Sequence, residues 1–512
     1  MAEPSTTHAA PTDEARRHLR GSTILLGGRL ISLAINFSAQ LLLVRALSKA
    51  DFGAFGFALS IVTFWTAISV MGLDTTARHF ASLYEASGSY RKQAGAMLVL
   101  FSCIVLFASV ITGTLFGVYA FWPDAIASST QAQHLVLYLL LLTPLEAVDC
   151  FLVSLLAAFA HPRTIFIRSY LLGPGLKLLA VLGVLLVNGS PSMLATAYVA
   201  GSILGLAICS AILFRVLKCH GILNRLLTRD WEVPLREVCS YSLPQVSFVL
   251  SFQLRTILPI FLLERFLSEV SVAEFRAVLP LANLNHAVMA TFGLLFVPAA
   301  ARMFASQRQQ DVEQLYIQTA SWVTLLSFPI FAVCFAFPES ATVFLFGKQY
   351  ASSSPILAAL AMGSFINALM GFNAQTLRGG GHARFVVISD LITIACAVGL
   401  QLYLIPRHGA FGAALATCAV LLVQNVINQI GLIRLVKIHP FRAASMTCYL
   451  SVALGTFALL QLQRGFSPPL YVALLCTAAV FLLVFFVNRH QLNVSQTLPE
   501  LMRVPVLRWM IG

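Results

Sequence analysis

The feature that limits this chain most is a pattern of apolar stretches about twenty residues long, separated by short charged, polar or Gly/Pro-containing breaks. A helix of that length crosses a hydrocarbon layer of ~30 Å. About fourteen such stretches can be placed, from 22–44 to 469–488, with 385–405 and 410–433 as a closely spaced pair. A membrane barrel would instead show ~10-residue segments of alternating polarity. The expected fold is therefore all-α and polytopic, with about fourteen transmembrane helices. Composition agrees, because 58% of the 512 residues are hydrophobic and 10% are charged. A soluble domain carries ~25% charged residues.

The net charge of +13 has a topological explanation rather than a nucleic-acid one. The Lys and Arg residues lie in short loops between apolar runs. With a cytoplasmic N-terminus, the cytoplasmic loops hold about three times as many as the far side. Both termini are thus expected on the cytoplasmic side, with no nucleic-acid partner. The first apolar run is too long for a signal-peptide core and reads as a retained span. The ten cysteines are irregularly spaced, without a CxxC pair, and read as small interior residues.

Self-comparison reveals a repeat. Leu42-Leu43-Val44-Arg45-Ala46-Leu47-Ser48 matches Leu262-Leu263-Glu264-Arg265-Phe266-Leu267-Ser268, and Ala77-Arg78-His79-Phe80-Ala81 matches Ala301-Arg302-Met303-Phe304-Ala305. Phe214-Arg215-Val216-Leu217-Lys218 matches Ile433-Arg434-Leu435-Val436-Lys437 at nearly the same offset. Each copy holds an even number of spans, so both enter the membrane in the same direction, an arrangement associated with transporters. The expected organisation is a cytoplasmic tail (1–21), an N-lobe (22–215), a basic cytoplasmic inter-lobe loop (216–237) and a C-lobe (238–434). Two further helices (444–488) and a cytoplasmic tail (489–512) follow.

The stretch Leu41-Leu42-Leu43-Val44-Arg45-Ala46-Leu47-Ser48-Lys49-Ala50-Asp51-Phe52-Gly53-Ala54-Phe55, followed by Met71-Gly72-Leu73-Asp74 and Arg78, resembles polysaccharide-export flippases. These are the O-antigen and exopolysaccharide flippases of the multidrug/oligosaccharidyl-lipid/polysaccharide (MOP) exporter superfamily. The resemblance implies a multi-pass protein of the bacterial inner membrane. Its substrate would be a polyprenyl-pyrophosphate-linked oligosaccharide, its surroundings membrane lipid, and its associates a polysaccharide polymerase and chain-length machinery. It also implies two lobes around a cavity with alternating access, and a lipid-tail groove on the extra helix pair.

Charges inside spans are costly unless they face protein or water. Six qualify: Arg29, Glu146, Asp149, Lys177, Arg255 and Asp390. Arg29 and Arg255 lie on repeat-equivalent helices and are candidates, with Lys177, for holding the pyrophosphate through charge-assisted bonds. Glu146 and Asp149, three apart on one helix face, would pair with Lys177 or Arg168, or bind H⁺ or Na⁺ for coupling. Asp390 has no obvious partner in its repeat and is the better single candidate for coupling. Arg45 with Asp51, and Arg265 with Glu274, mark equivalent periplasmic turns as helix caps or gate ion pairs. Arg78 and Arg302 are cytoplasmic-mouth anchors. In-span amides such as Asn283, Asn285, Asn367 and Asn373 would touch sugar hydroxyls or join helices. Prolines including Pro244, Pro280, Pro298 and Pro329 suggest bends.

No catalytic triad, metal-ligand spacing, phosphate loop or resident cofactor is indicated, so an enzyme is not expected. The alternatives are a cation-coupled multidrug antiporter, a lipid II flippase of the same superfamily, and a membrane-embedded glycan polymerase or transferase. An antiporter would favour an acidic cavity, and a polymerase a large extracytoplasmic loop.

Overall fold

The computed structural model describes residues 13–159, 162–219, 221–222, 231–439, 443–466 and 468–489. The expected C-terminal tail lies almost wholly outside the described residues, as do 1–12 of the N-terminal tail, 223–230 of the inter-lobe loop, and the side chain of Pro244. Every regular element among the described residues is helical. In chain order the helices are α1 (Asp13–Ala46), α2 (Lys49–Val70), α3 (Leu73–Ala86), α4 (Tyr90–Phe121), α5 (Thr130–Leu140), α6 (Leu142–Phe159), α7 (Pro162–Leu186) and α8 (Pro191–Cys219). Next come α9 (Leu235–Phe266), α10 (Glu269–Ala282), α11 (Leu284–Ala305), α12 (Gln309–Ala336), α13 (Pro338–Phe346), α14 (Ser354–Leu369) and α15 (Asn373–Gly379). The last three are α16 (Ala383–Gly431), α17 (Ala443–Phe466) and α18 (Leu470–Asn488). Helix α1 begins at Asp13, inside the segment expected as a tail.

Among the described residues, thirteen segments are long and apolar enough to cross a membrane, against about fourteen from the sequence. The difference is α16. Its 49 residues would extend about 74 Å if straight, more than twice a hydrocarbon core. It is not straight, because Gly409 has φ 59° and ψ −141°. Gln424 donates to Asp390, 34 positions away, a separation of about 51 Å along an unbroken helix. Gln401 likewise reaches Thr417. The segment therefore doubles back at Gly409 into two antiparallel arms, matching the expected pair 385–405 and 410–433. Few residues other than glycine tolerate those dihedrals. Pro280, Pro298 and Pro329 lie inside α10, α11 and α12, none of which is interrupted at its proline.

The chain forms two compact units. The first contains residues 1–43, 61–126 and 133–249, and the second 44–60, 127–132 and 250–512. They depart from the expected lobes at 44–60 and 127–132, which join the second unit, and at 238–249, which join the first.

The first unit is built on α3, whose buried residues Leu73, Thr76, Ala77, Phe80, Ala81 and Tyr84 recur at helical spacing. This face packs with Met97, Leu100 and Ile104 of α4, Phe151 and Leu155 of α6, and Leu213 of α8. In lipid, association depends on close packing rather than on exclusion of water. Tyr241 stacks on His79 at 4.2 Å, and Tyr84 donates to Glu237 at 2.7 Å, which holds the start of α9 in this unit.

In the second unit α12 is buried along most of its length. Phe331 stacks on Phe365 of α14 at 4.1 Å, and Phe296 of α11 stacks on Phe372 at 4.8 Å. The pair α17 and α18 packs on α12. The start of α2 also belongs here. A Cβ on Gly53 would fall 1.9 Å from the Glu269 carbonyl oxygen, so only a glycine permits that approach.

Candidate functional site

In the first unit a cavity of about 410 Å³ gathers Glu146 and Asp149 of α6, Arg168 and Lys177 of α7, Tyr198 of α8, and Ser32 and Asn36 of α1. Helix α7 is locally unusual, with a π-helical stretch over Phe166–Leu172. Pro174 follows it within two residues and supplies no N–H to the ladder, and such widened turns concentrate at functional sites. Arg168 lies in this stretch and forms an ion pair with Asp149. Lys177 pairs with Glu146 at 3.2 Å. The expected pairing of the two carboxylates with α7 is thus present. The pairs differ in access, because the Arg168 side chain is 5% exposed and that of Lys177 44%. Arg29 is half-buried on α1. It lies three and seven residues before Ser32 and Asn36, and hence on the same helix face.

In the second unit Arg255 lies in the 32-residue helix α9, eleven residues before its end or about 16 Å along the axis. Its Nε donates to the Ser251 carbonyl at 3.2 Å, and its Nη1 donates to Gln424 Oε1. Gln424 Nε2 donates to Asp390 Oδ1 at 2.8 Å, while Asp390 Oδ2 lies 3.9 Å from Arg378. Asp390 is 4% exposed. The sequence offered Asp390 no partner, and the structure supplies two within the same repeat. They come from the end of α15 and the second arm of α16, whose approach depends on the turn at Gly409. Arg29 belongs to the first unit and Arg255 to the second, so neither unit brings the two together.

Of the two readings open for the candidate gate residues, Arg45 and Asp51 follow the helix-cap one and do not pair with each other. Arg45 donates to the carbonyls of Phe344 and Leu345, both at 2.6 Å, which satisfies the C-terminal turn of α13. Asp51 accepts from Ser48 Oγ and from Gln131, both at 2.6 Å, and its backbone N–H donates to Ser48 Oγ at 3.1 Å. That exchange caps the start of α2. Glu274 pairs with Lys49 at 3.0 Å and accepts from Ser352 at 2.6 Å. Arg265, Arg78 and Arg302 are exposed.

Sequence reasoning missed Glu264, buried at the end of α9, which accepts from the Ser128 backbone N–H at 2.5 Å. A carboxylate closing an apolar run was the available signal. It also missed Gln424, whose neutral amide gave none beyond its place in a span. Asn283 takes a bond from Ser364, Asn425 donates to Asn367, and Asn373 donates to Asn425. These amides join helices within the second unit. A separate cavity of about 450 Å³ lies between α17 and α18, lined by Leu450, Leu454, Val480, Leu483 and Val487. Among the described residues no three His, Cys, Asp or Glu side chains gather for a metal ion.

The polysaccharide biosynthesis protein family model matches residues 18–304, more than half of the chain. No curated protein matches it. Among solved structures, the lipid II flippase MurJ in an inward closed conformation is similar at TM-score 0.67 and 14% identity, covering 92% of this chain and 99% of that one. An inward-facing multidrug resistance MATE family transporter of the MOP superfamily is similar at TM-score 0.64 and 13% identity, covering 84% and 96%. The MATE multidrug transporter DinF-BH is similar at TM-score 0.58 and 14% identity, covering 84% and 98%. At these identities the likeness is one of fold. The chain belongs to the polysaccharide biosynthesis protein family and has the fold of the MOP-superfamily transporters.

Proposed function

We propose that this protein flips a polyprenyl-pyrophosphate-linked oligosaccharide from the cytoplasmic to the periplasmic leaflet of a bacterial inner membrane. Both termini stay in the cytoplasm, and the product passes to polymerase and chain-length machinery for surface polysaccharide. The family match supports the polysaccharide, and one observation carries the pyrophosphate: Arg255. It stands eleven residues inside the end of the apolar helix α9, and an arginine at the centre of a span costs ~2.5–3.5 kcal/mol on insertion scales. Described residues engage only two of its five N–H donors. A forked anion such as a pyrophosphate satisfies the rest with charge-assisted bonds. Lys177 and Arg29 offer further cationic contacts during passage. The apolar groove between α17 and α18 suits the polyprenyl tail, which stays in lipid while the headgroup crosses. Alternating access between the lobes would carry the headgroup, with an H⁺ or Na⁺ gradient as its energy source through Asp390 or the Glu146/Asp149 pair.

The test is Arg255→Ala in cells lacking the chromosomal copy. Surface glycan should fall by about tenfold or more while membrane abundance is kept and lipid-linked intermediate accumulates, as expected for loss of a charge-assisted fork. Full glycan display would remove the pyrophosphate role of Arg255.

A further inference from the structure

Gln424 stands between a cation and an anion that do not touch. Its Oε1 accepts from Arg255, and its Nε2 donates to Asp390 at 2.8 Å. The two partners fix the amide's orientation, since a flipped amide would aim an acceptor at a carboxylate and donors at a guanidinium. Arg255 is also tied to the Ser251 carbonyl of its own helix. The guanidinium is therefore pinned from two sides, and no carboxylate among the described residues contacts it.

This differs from the first unit, where Lys177 and Arg168 each contact a carboxylate directly. A direct Arg–Asp fork is the strongest geometry available to such a pair, and it would occupy the donors that an anionic ligand needs. With a neutral amide between them, Asp390 still stabilises the cation in a low-dielectric interior, while described residues leave three of its five N–H donors to a ligand. We infer that Gln424 is a positioning residue that keeps Arg255 available to a pyrophosphate-class ligand, by linking it to Asp390 through an amide rather than a direct ion pair. The inference rests on the reading of Arg255 given above.

The discriminating variant is the exchange Gln424→Glu/Asp390→Asn. It preserves net charge, and it preserves the chain of hydrogen bonds, because an amide at 390 can donate to a carboxylate at 424. The carboxylate now rests on Arg255, and Arg378 faces an amide where it had a carboxylate at 3.9 Å. A merely structural Gln424 predicts wild-type thermal stability and wild-type affinity for polyprenyl pyrophosphate at equilibrium. The positioning role predicts wild-type thermal stability with affinity for polyprenyl pyrophosphate in lipid nanodiscs weakened about tenfold or more. It also predicts loss of the preference over polyprenyl monophosphate. Gln424→Met, similar in volume but unable to bridge, lets Arg255 close onto Asp390 and carries the same binding expectation if the exchange fails to accumulate. Arg255→Ala is measured in parallel. Binding lost in Arg255→Ala but intact in the exchange and in Gln424→Met overturns the positioning role alone. Binding intact in Arg255→Ala overturns the reading beneath it as well.

Discussion

Asp149 and Asp390 show how two carboxylates inside spans come to differ. Asp149 lies against Arg168, whose side chain is nearly sealed from solvent. Removing one partner of a buried pair leaves an uncompensated charge costing ~3–5 kcal/mol. Asp149→Asn should therefore lower abundance and melting temperature in detergent, and Asp149→Leu/Arg168→Met should recover much of the loss. An Asp149→Asn variant with wild-type stability and altered ion dependence would instead make Asp149 a coupling residue. This pair was legible in the sequence because Glu146 and Asp149 share a helix face and the next span begins with cations. The surroundings of Asp390 were not legible. One partner lies on α15 and the other, a neutral amide, on the far arm of its own helix, so no charge pattern along the chain could disclose it. Arg45 and Asp51 were recognised as polar markers but not as non-partners, because Asp51 is engaged by its own helix start and Arg45 by the carbonyl end of α13.

At the level of elements, apolar run length located nearly every helix, since lipid forces each crossing segment to satisfy its own backbone. The interruptions were less visible. The break at Asn283 between α10 and α11 comes three residues after Pro280, whereas no proline precedes the break between α2 and α3 at Met71 and Gly72. Two glycines are decisive. Gly409→Ala forces a side chain into dihedrals that cost ~1–3 kcal/mol, and should lower the melting temperature by several degrees. Unchanged stability would mean that the arms of α16 can turn in another conformation. At Gly53 the obstacle is the Glu269 backbone itself, so Gly53→Val should displace the start of α2. Increased protease sensitivity or maleimide labelling near residues 48–55 would report that displacement.

For the molecule as a whole, the internal repeat predicted two lobes, and the compact units exchange short pieces with them. Residues 44–60 belong by sequence to the first repeat and by packing to the second unit. There Lys49 meets Glu274, with the side chains 22% and 21% exposed. A pair with that access is worth up to ~1 kcal/mol. Lys49→Glu should lower thermal stability by about that amount, and Lys49→Glu/Glu274→Lys should restore it. Failure of the swap to restore stability would reassign the loss to the Ser352 and Tyr350 contacts around the same lysine. These cross-repeat partners escaped sequence reasoning because self-comparison aligns each copy with the other and is blind to pieces that change sides.

The widened turn in α7 has a consequence for rotational register. Arg168 and Lys177 are nine residues apart, and nine residues of α-helix advance by about 900°, which would put them on opposite sides. Yet both line the same cavity. A π turn absorbs about one extra residue, cutting the effective advance to about 800° and bringing the two within about 80° in azimuth. Nothing in their spacing would place them together without it. Deleting one residue of 166–172, such as Leu171, would leave eight α-helical steps between the two, about 800°, and so remove the widened turn while keeping Lys177 on the side of Glu146. The π stretch acts as a phase shifter, setting which way everything beyond it on α7 faces.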